Sequence, residues 1–231
     1  MGFKGLIGFF LLALLQLSAA AAPWHVGDNA LYTSLSISTG EVEELQNTRS
    51  SFYGENSLSS DWTVTAKVEQ VAFEDDADFN SDAWRATLRR TYNLTDTVRF
   101  SLEGGVLQGE AIGGFGTCSR IGAEIRSGAA WTGQSRLTDT YSYVEIAQRE
   151  HDGCSRSLAE VGIGRKATRD IWLVTQAFIE DGGGLARSYK SQTGILWKGE
   201  RGEYMLGYRN ESGGEFREDA VFISIARRFT L

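Results

Sequence analysis

The sequence predicts an all-β chain that closes into a transmembrane antiparallel up-and-down β-barrel of about 12 strands. Three observations carry this expectation. The first is strict alternation: Val98, Phe100, Leu102, Gly104 and Val106 alternate with Arg99, Ser101, Glu103 and Gly105. Likewise Ile121, Ala123 and Ile125 alternate with Gly122, Glu124 and Arg126, and Trp62, Val64, Ala66 and Val68 with Thr63, Thr65, Lys67 and Glu69. A period of two places each set on its own face of a strand, here one apolar face and one carrying charges of both signs. The second is composition: one Pro, at position 23, against 27 Gly, 12 Phe, 8 Tyr and 6 Trp. A long meander has few places for Pro, because central strands need every backbone N–H. The third is that the connections alternate between short turns and longer polar loops, as in barrels that cross a membrane.

The elements follow in order. Lys4, an apolar run from Leu6 to Leu15 and small residues from Ser18 to Ala22 read as a secretory signal peptide. Cleavage is expected after Ala20 or Ala21, clear of Pro23, so that 1–21 is the signal and 22–231 the barrel domain. The apolar run is shorter than the ~20 residues a membrane-spanning helix needs, and no Cys stands near the cleavage site. Strands are then expected near 31–37, 50–57, 62–73, 84–93, 98–107, 120–131, 140–149, 157–166, 171–180, 189–198, 204–210 and 221–231. Most approach the ~9–11 residues of a tilted transmembrane strand. Short turns fall at 58–61, 94–96, 167–170 and 199–202, and longer loops at 39–48, 74–82, 109–119, 150–155, 181–187 and 211–219. The connection 132–139 is longer than its side of the barrel predicts. Helical periodicity is nearly missing, and 41–46 is the one segment that reads as a helical turn.

With this pattern the chain resembles bacterial outer-membrane β-barrel proteins of the porin-like kind over the whole of 22–231, with no subfamily standing out. The last strand carries the resemblance best: Val221, Ile223, Ile225, Phe229 and Leu231 occupy alternate positions up to the C-terminus. Barrels of this class most often end in Phe, so Leu231 departs from the pattern. The resemblance implies a bacterial outer-membrane location and contact with outer-membrane lipid and lipopolysaccharide. It also implies recognition of the last strand by the barrel-assembly machinery, and a monomer. The competing fold is a soluble lipocalin-like barrel or a β-sandwich, which would turn the apolar face inward. Twelve strands enclose too wide a lumen for an apolar core to fill, which favours the membrane barrel. Arg90 and Arg227 test it, since both fall on the lipid-facing register. Each lies beside an aromatic, Tyr92 or Phe229, near a strand end where its long side chain reaches the headgroups.

On the inward faces the candidate pore-lining residues are Lys67, Glu69, Arg85, Arg89, Arg99, Glu103, Glu124, Arg126, Glu160, Lys166, Lys190 and Lys198, with Glu145, Glu180 and Arg209 beside them. This lumen is mildly basic although the chain carries a net charge of −7. A basic lumen favours anions; pairing of the same charges across strands would simply fill the barrel. The net negative charge argues against a nucleic-acid partner. Cys118 and Cys154, the only cysteines in an exported chain, are expected to form a disulfide between two loops of one face.

The loop from Asp76 through Asp78 and Asn80 to Asp82 spaces oxygen ligands as in a calcium loop. Ser81 and Thr87, however, stand where the Gly and the bidentate Glu should be, so a solvated acidic loop is expected. Phosphate-binding and paired-Cys metal motifs are missing, and no cofactor is expected. Catalysis has one candidate, His151, with Ser155, Asp82 or Asp181 as partners for a lipid hydrolase. The reading these observations support is a non-enzymatic pore for small hydrophilic, anionic solutes, with a plugged barrel acting through its loops as the alternative.

Overall fold

In the computed structural model twelve strands follow one another round a closed barrel, each antiparallel to the next, and β12 returns to β1. The structure describes residues 29–42, 44–74, 78, 80–109, 121–134, 138–151, 154–182, 187–200, 202–213 and 216–230. The strands are β1 Ala30–Val42, β2 Leu45–Ser57, β3 Trp62–Phe73, β4 Ser81–Asn93, β5 Val98–Gln108 and β6 Ile121–Gln134. They continue as β7 Asp139–His151, β8 Cys154–Lys166, β9 Ile171–Asp181, β10 Arg187–Gly199, β11 Gly202–Gly213 and β12 Phe216–Thr230. Closure is full-length: β1 pairs with β12 from Ala30↔Thr230 to Val42↔Glu218.

Exposure settles which of the two alternating faces is outside. Leu35, Phe52, Val68, Leu88, Ile125, Val161, Ile195 and Ile223 are exposed outward, forming an apolar belt that only a bilayer can cover. The apolar face therefore points out and the charged face in, which excludes the soluble-barrel alternative. Arg90 and Arg227 hold the outward register, as expected. The Arg90 guanidinium lies over Trp62 and Tyr92, 5.3 and 5.0 Å from their ring centres, and that of Arg227 over Phe229 at 5.1 Å. Trp62, Tyr92, Trp197, Tyr204 and Phe229 lie near the end of the barrel that holds Ala30 and Thr230, the position of an interfacial aromatic girdle.

The strands are taller than expected at the opposite end. The expected helical turn at 41–46 is instead the top of a hairpin, in which Val42 pairs with Leu45 and Glu44 takes φ +73°. The expected loops 150–155 and 211–219 shrink in the same way, with His151↔Cys154 and Gly213↔Phe216 as the last pairs. Sequence alternation stops where the outward face leaves the lipid, but backbone pairing does not need an apolar face and continues beyond it. The connection 135–138 between β6 and β7 is four residues long, because β6 runs on to Gln134.

Candidate functional site

All twelve residues expected to face inward hold the inward register, and the closed barrel sorts them by height. Near the end that carries the tall hairpins, a cavity of about 190 Å³ is walled by Arg49, Lys67, Arg85, Arg126, Arg149 and Lys190 together with Glu69, Glu160, Glu180 and Glu211. Arg89 and Glu103 are buried in the lumen and do not line that cavity. Arg99, Lys166 and Lys198 lie near the opposite end of their strands, where Lys166 pairs with Asp139 at 2.9 Å and Lys198 with Glu203 at 3.5 Å.

These charges are organised into ion-pair networks that cross the lumen. Arg89 on β4 binds Glu103 on β5 and Glu55 on β2, each at 2.8 Å. Glu103 also accepts from the hydroxyls of Thr87 and Thr65. Arg49 on β2 reaches Glu218 on β12 at 3.3 Å and Glu211 on β11 at 3.7 Å, and Arg209 closes on Glu218 at 2.8 Å. Glu124 on β6 accepts from Arg85 on β4, from Arg126 beside it, and from Arg149 on β7. Arg126 continues to Glu145 at 2.7 Å, and Glu180 binds Arg156 at 2.9 Å. Contacts between strands two apart, as from β4 to β2 and β6, run through the interior of the barrel.

The lower lumen is filled differently. On its wall Tyr141, Tyr143, Trp172, Val174 and Leu196 form a buried cluster with Ala130, packed against Met205. The Tyr141 and Tyr143 rings lie against Gly164 and Gly162, where a Cβ would stand 2.0 and 2.3 Å from ring carbons. Only glycine at those two inward positions lets the rings lie flat on the wall. The Tyr143 hydroxyl joins Glu160 and Gln176, and Gln176 joins Gln192, so the cluster is polar on its upper rim.

The expected lumen was incomplete. Arg49, Glu55, Arg149, Arg156, Glu211 and Glu218 also face inward, and Glu55 and Glu218 are among the most buried charges of the chain. They add three charges of each sign, so the basic surplus expected of the lumen is unchanged. Carrying the outward parity of Val221, Ile223 and Ile225 backwards along β12 would have placed Glu218 inside. Glu55 had no such signal, because β2 interleaves Ser50, Phe52, Gly54 and Asn56 on its outer face and shows no apolar stripe.

The partners expected of His151 do not meet it. His151 is not in a loop but ends β7 as a buried, inward residue. Ser155 is exposed on the outward register, where its hydroxyl binds Glu150. Asp181 binds Arg187 at 2.6 Å in an exposed pair, and Asp82 shares the register of Gln70 and Trp84. The three candidate partners therefore stand on the other side of the wall from the imidazole. Cys118, Asp76 and Leu231 lie outside the described residues, as does the Cys154 side chain. Among the described residues no cluster of His, Cys, Asp and Glu is arranged to hold a metal ion.

The architecture is that of the outer-membrane β-barrels. The chain is similar in fold to the NanC porin, with a TM-score of 0.60 and 8% identity over 84% of this chain and 98% of that one. It is similar as well to the KdgM porin (0.57, 6%, over 83% and 98%), a second structure of which holds a disordered oligogalacturonate. LpxR from Salmonella typhimurium shares the fold at 0.53 and 10%, over 84% and 99%. At such identities the likeness concerns the fold. No family model and no curated protein matches the sequence.

Proposed function

We propose that this protein is a bacterial outer-membrane pore for small hydrophilic solutes, with a preference for anions. The observation that carries the reading is the cavity itself. Six basic side chains, Arg49, Lys67, Arg85, Arg126, Arg149 and Lys190, face it against four acidic ones, Glu69, Glu160, Glu180 and Glu211. A recess with a surplus of guanidinium and ammonium groups raises the local concentration of anions and offers them hydrogen-bond donors. In barrels of this architecture the short turns and both termini face the periplasm, so the cavity is an extracellular vestibule. The fold is shared with porins, one of which binds oligogalacturonate, a carboxylate-bearing oligosaccharide. Export by the 1–21 signal and insertion through the β12 strand complete this reading, and the lining residues are Lys67, Glu69, Arg85, Arg126, Glu160 and Lys190, with Arg49 and Arg149 added. A disulfide between Cys118 and Cys154 would tie the loops at its mouth.

The aromatic cluster below the vestibule narrows the path, so unitary steps are expected to be far smaller than those of wide porins of about 16 strands. The test is single-channel recording of the refolded barrel in a planar bilayer under a salt gradient. Small stable steps with an anion-selective reversal potential are expected. A silent bilayer, with heat-modifiable gel migration showing that the barrel is folded, would overturn the pore. It would leave a closed barrel that acts through its extracellular end.

A further inference from the structure

Among the described residues, Glu124 stands at the centre of an ion-pair network. It is fully buried and takes three guanidinium groups from three strands: Arg85 at 3.1 Å, Arg126 at 3.3 Å, and Arg149. All three arginines are on the vestibule wall, whereas Glu124 is not; it sits behind them. Its two oxygens are divided, with Oε1 shared by Arg85 and Arg126 and Oε2 taken by Arg149. A carboxylate in that position does two things. It cancels part of the charge that three converging arginines would present, and it turns their donors toward the wall and away from the solute.

The neighbouring carboxylates Glu145 and Glu180 are engaged elsewhere as well. Glu145 binds Arg126 at 2.7 Å, and Glu180 approaches Arg149 at 3.7 Å while binding Arg156 at 2.9 Å. Arg85 is held by Glu124, and its Nε is buried with no hydrogen-bond partner. Loss of the Glu124 charge would release the three donors it holds, Arg85 Nη1, Arg126 Nε and Arg149 Nε, beside a cavity that all three arginines line.

We infer that Glu124 is the residue that sets anion affinity in the vestibule, an internal counter-ion that restrains a three-arginine site for carboxylate- or phosphate-bearing solutes. A solute carrying several carboxylates competes with Glu124 for the same guanidinium groups, since bidentate pairing with arginine is the strongest interaction available to either. Affinity is thereby kept low enough for the solute to leave, as conduction requires. The inference rests on the pore reading for its role in transport, but the binding site it describes does not need an open path.

The experiment uses citrate, a compact tricarboxylate, titrated calorimetrically into the folded full-length barrel, alongside the reversal potential of the same preparations. Glu124→Gln, nearly isosteric and uncharged, is expected to bind citrate about tenfold more tightly than the unaltered chain and to shift the reversal potential further toward anions. Glu124→Asp keeps the charge but is one methylene too short to hold all three arginines, and is expected to give a smaller gain in the same direction. It serves as the deciding variant if the Gln substitution prevents folding. Citrate affinity equal to the unaltered chain's in the folded variant overturns the inference, including when the barrel conducts and remains anion-selective. Tighter citrate binding in a barrel that passes no current upholds the inference and ends the pore reading instead.

Discussion

Arg89 shows how each inward charge is held. It donates through Nε to Glu103 and through Nη1 to Glu55, both at 2.8 Å, and all three groups are buried. Removing one member of a buried ionic cluster costs more than the pair contributes, because its partners remain charged without compensation. Arg89→Ala leaves two carboxylates facing each other in the lumen, and is expected to lower stability by about 3–5 kcal/mol. Urea titration of the lipid-embedded barrel measures this; a loss below about 1 kcal/mol would show that water reaches and solvates both carboxylates. The inward position of Arg89 was legible from its alternation with Leu88 and Arg90, and that of Glu103 from the β5 stripe. Their meeting with Glu55 was not, since it joins strands that are not neighbours.

At the scale of the element, each strand has a lipid-facing span and a taller section beyond it. On β8, Val161 and Ile163 face outward and are exposed, while Arg156 on the same strand faces inward and is almost fully buried. Val161 lies well inside the apolar belt, paired with Val144 and Ala177. Val161→Arg is therefore expected to destabilise the folded barrel by ~2–4 kcal/mol, the cost of a cation near the bilayer midplane. The naturally outward Arg90 sits near the interface on Trp62 and Tyr92 and bears no such cost. Equilibrium refolding into vesicles checks the value, and an unchanged stability would place the membrane belt elsewhere on the barrel. Strand order and parity were readable because period-two alternation is a local property of an extended chain. The upper strand ends were misread, because outside the lipid the outward residues are polar and alternation no longer marks the strand. Val42↔Leu45 and Gly213↔Phe216 are held by backbone hydrogen bonds, for which side-chain polarity gives no sign.

For the whole molecule, the question is what the summed charge does to a passing ion. The vestibule's basic surplus is small and much of it is paired, so its field is short-ranged and sensitive to screening. The Debye length falls from about 10 Å at 0.1 M salt to about 3 Å at 1 M. The anion preference is therefore expected to be clear in gradients centred near 0.1 M and to fade near 1 M. Reversal potentials recorded at both ionic strengths test this. A preference that persists undiminished at high salt would mean that selectivity comes from direct hydrogen bonding at a constriction and not from the field of the vestibule.

Sequence alone determined the order of the strands and their parity, which gathers charges such as Lys67, Arg85, Glu124 and Arg126 on one face and the apolar residues on the other. Both follow from the alternation of a single strand and the polarity of its two faces. That the charged face turns inward was decided by the structure. Tertiary structure alone decided which charges meet: Arg89 with Glu55, Arg49 with Glu218, and Glu124 with three arginines from β4, β6 and β7. It also decided that Tyr141, Tyr143 and Trp172 gather on the wall of the lower lumen while a cavity remains in the upper one. These contacts join residues far apart in the chain, and their partners are fixed by closure and by the stagger of one strand on the next. A pattern of period two carries no information about that stagger.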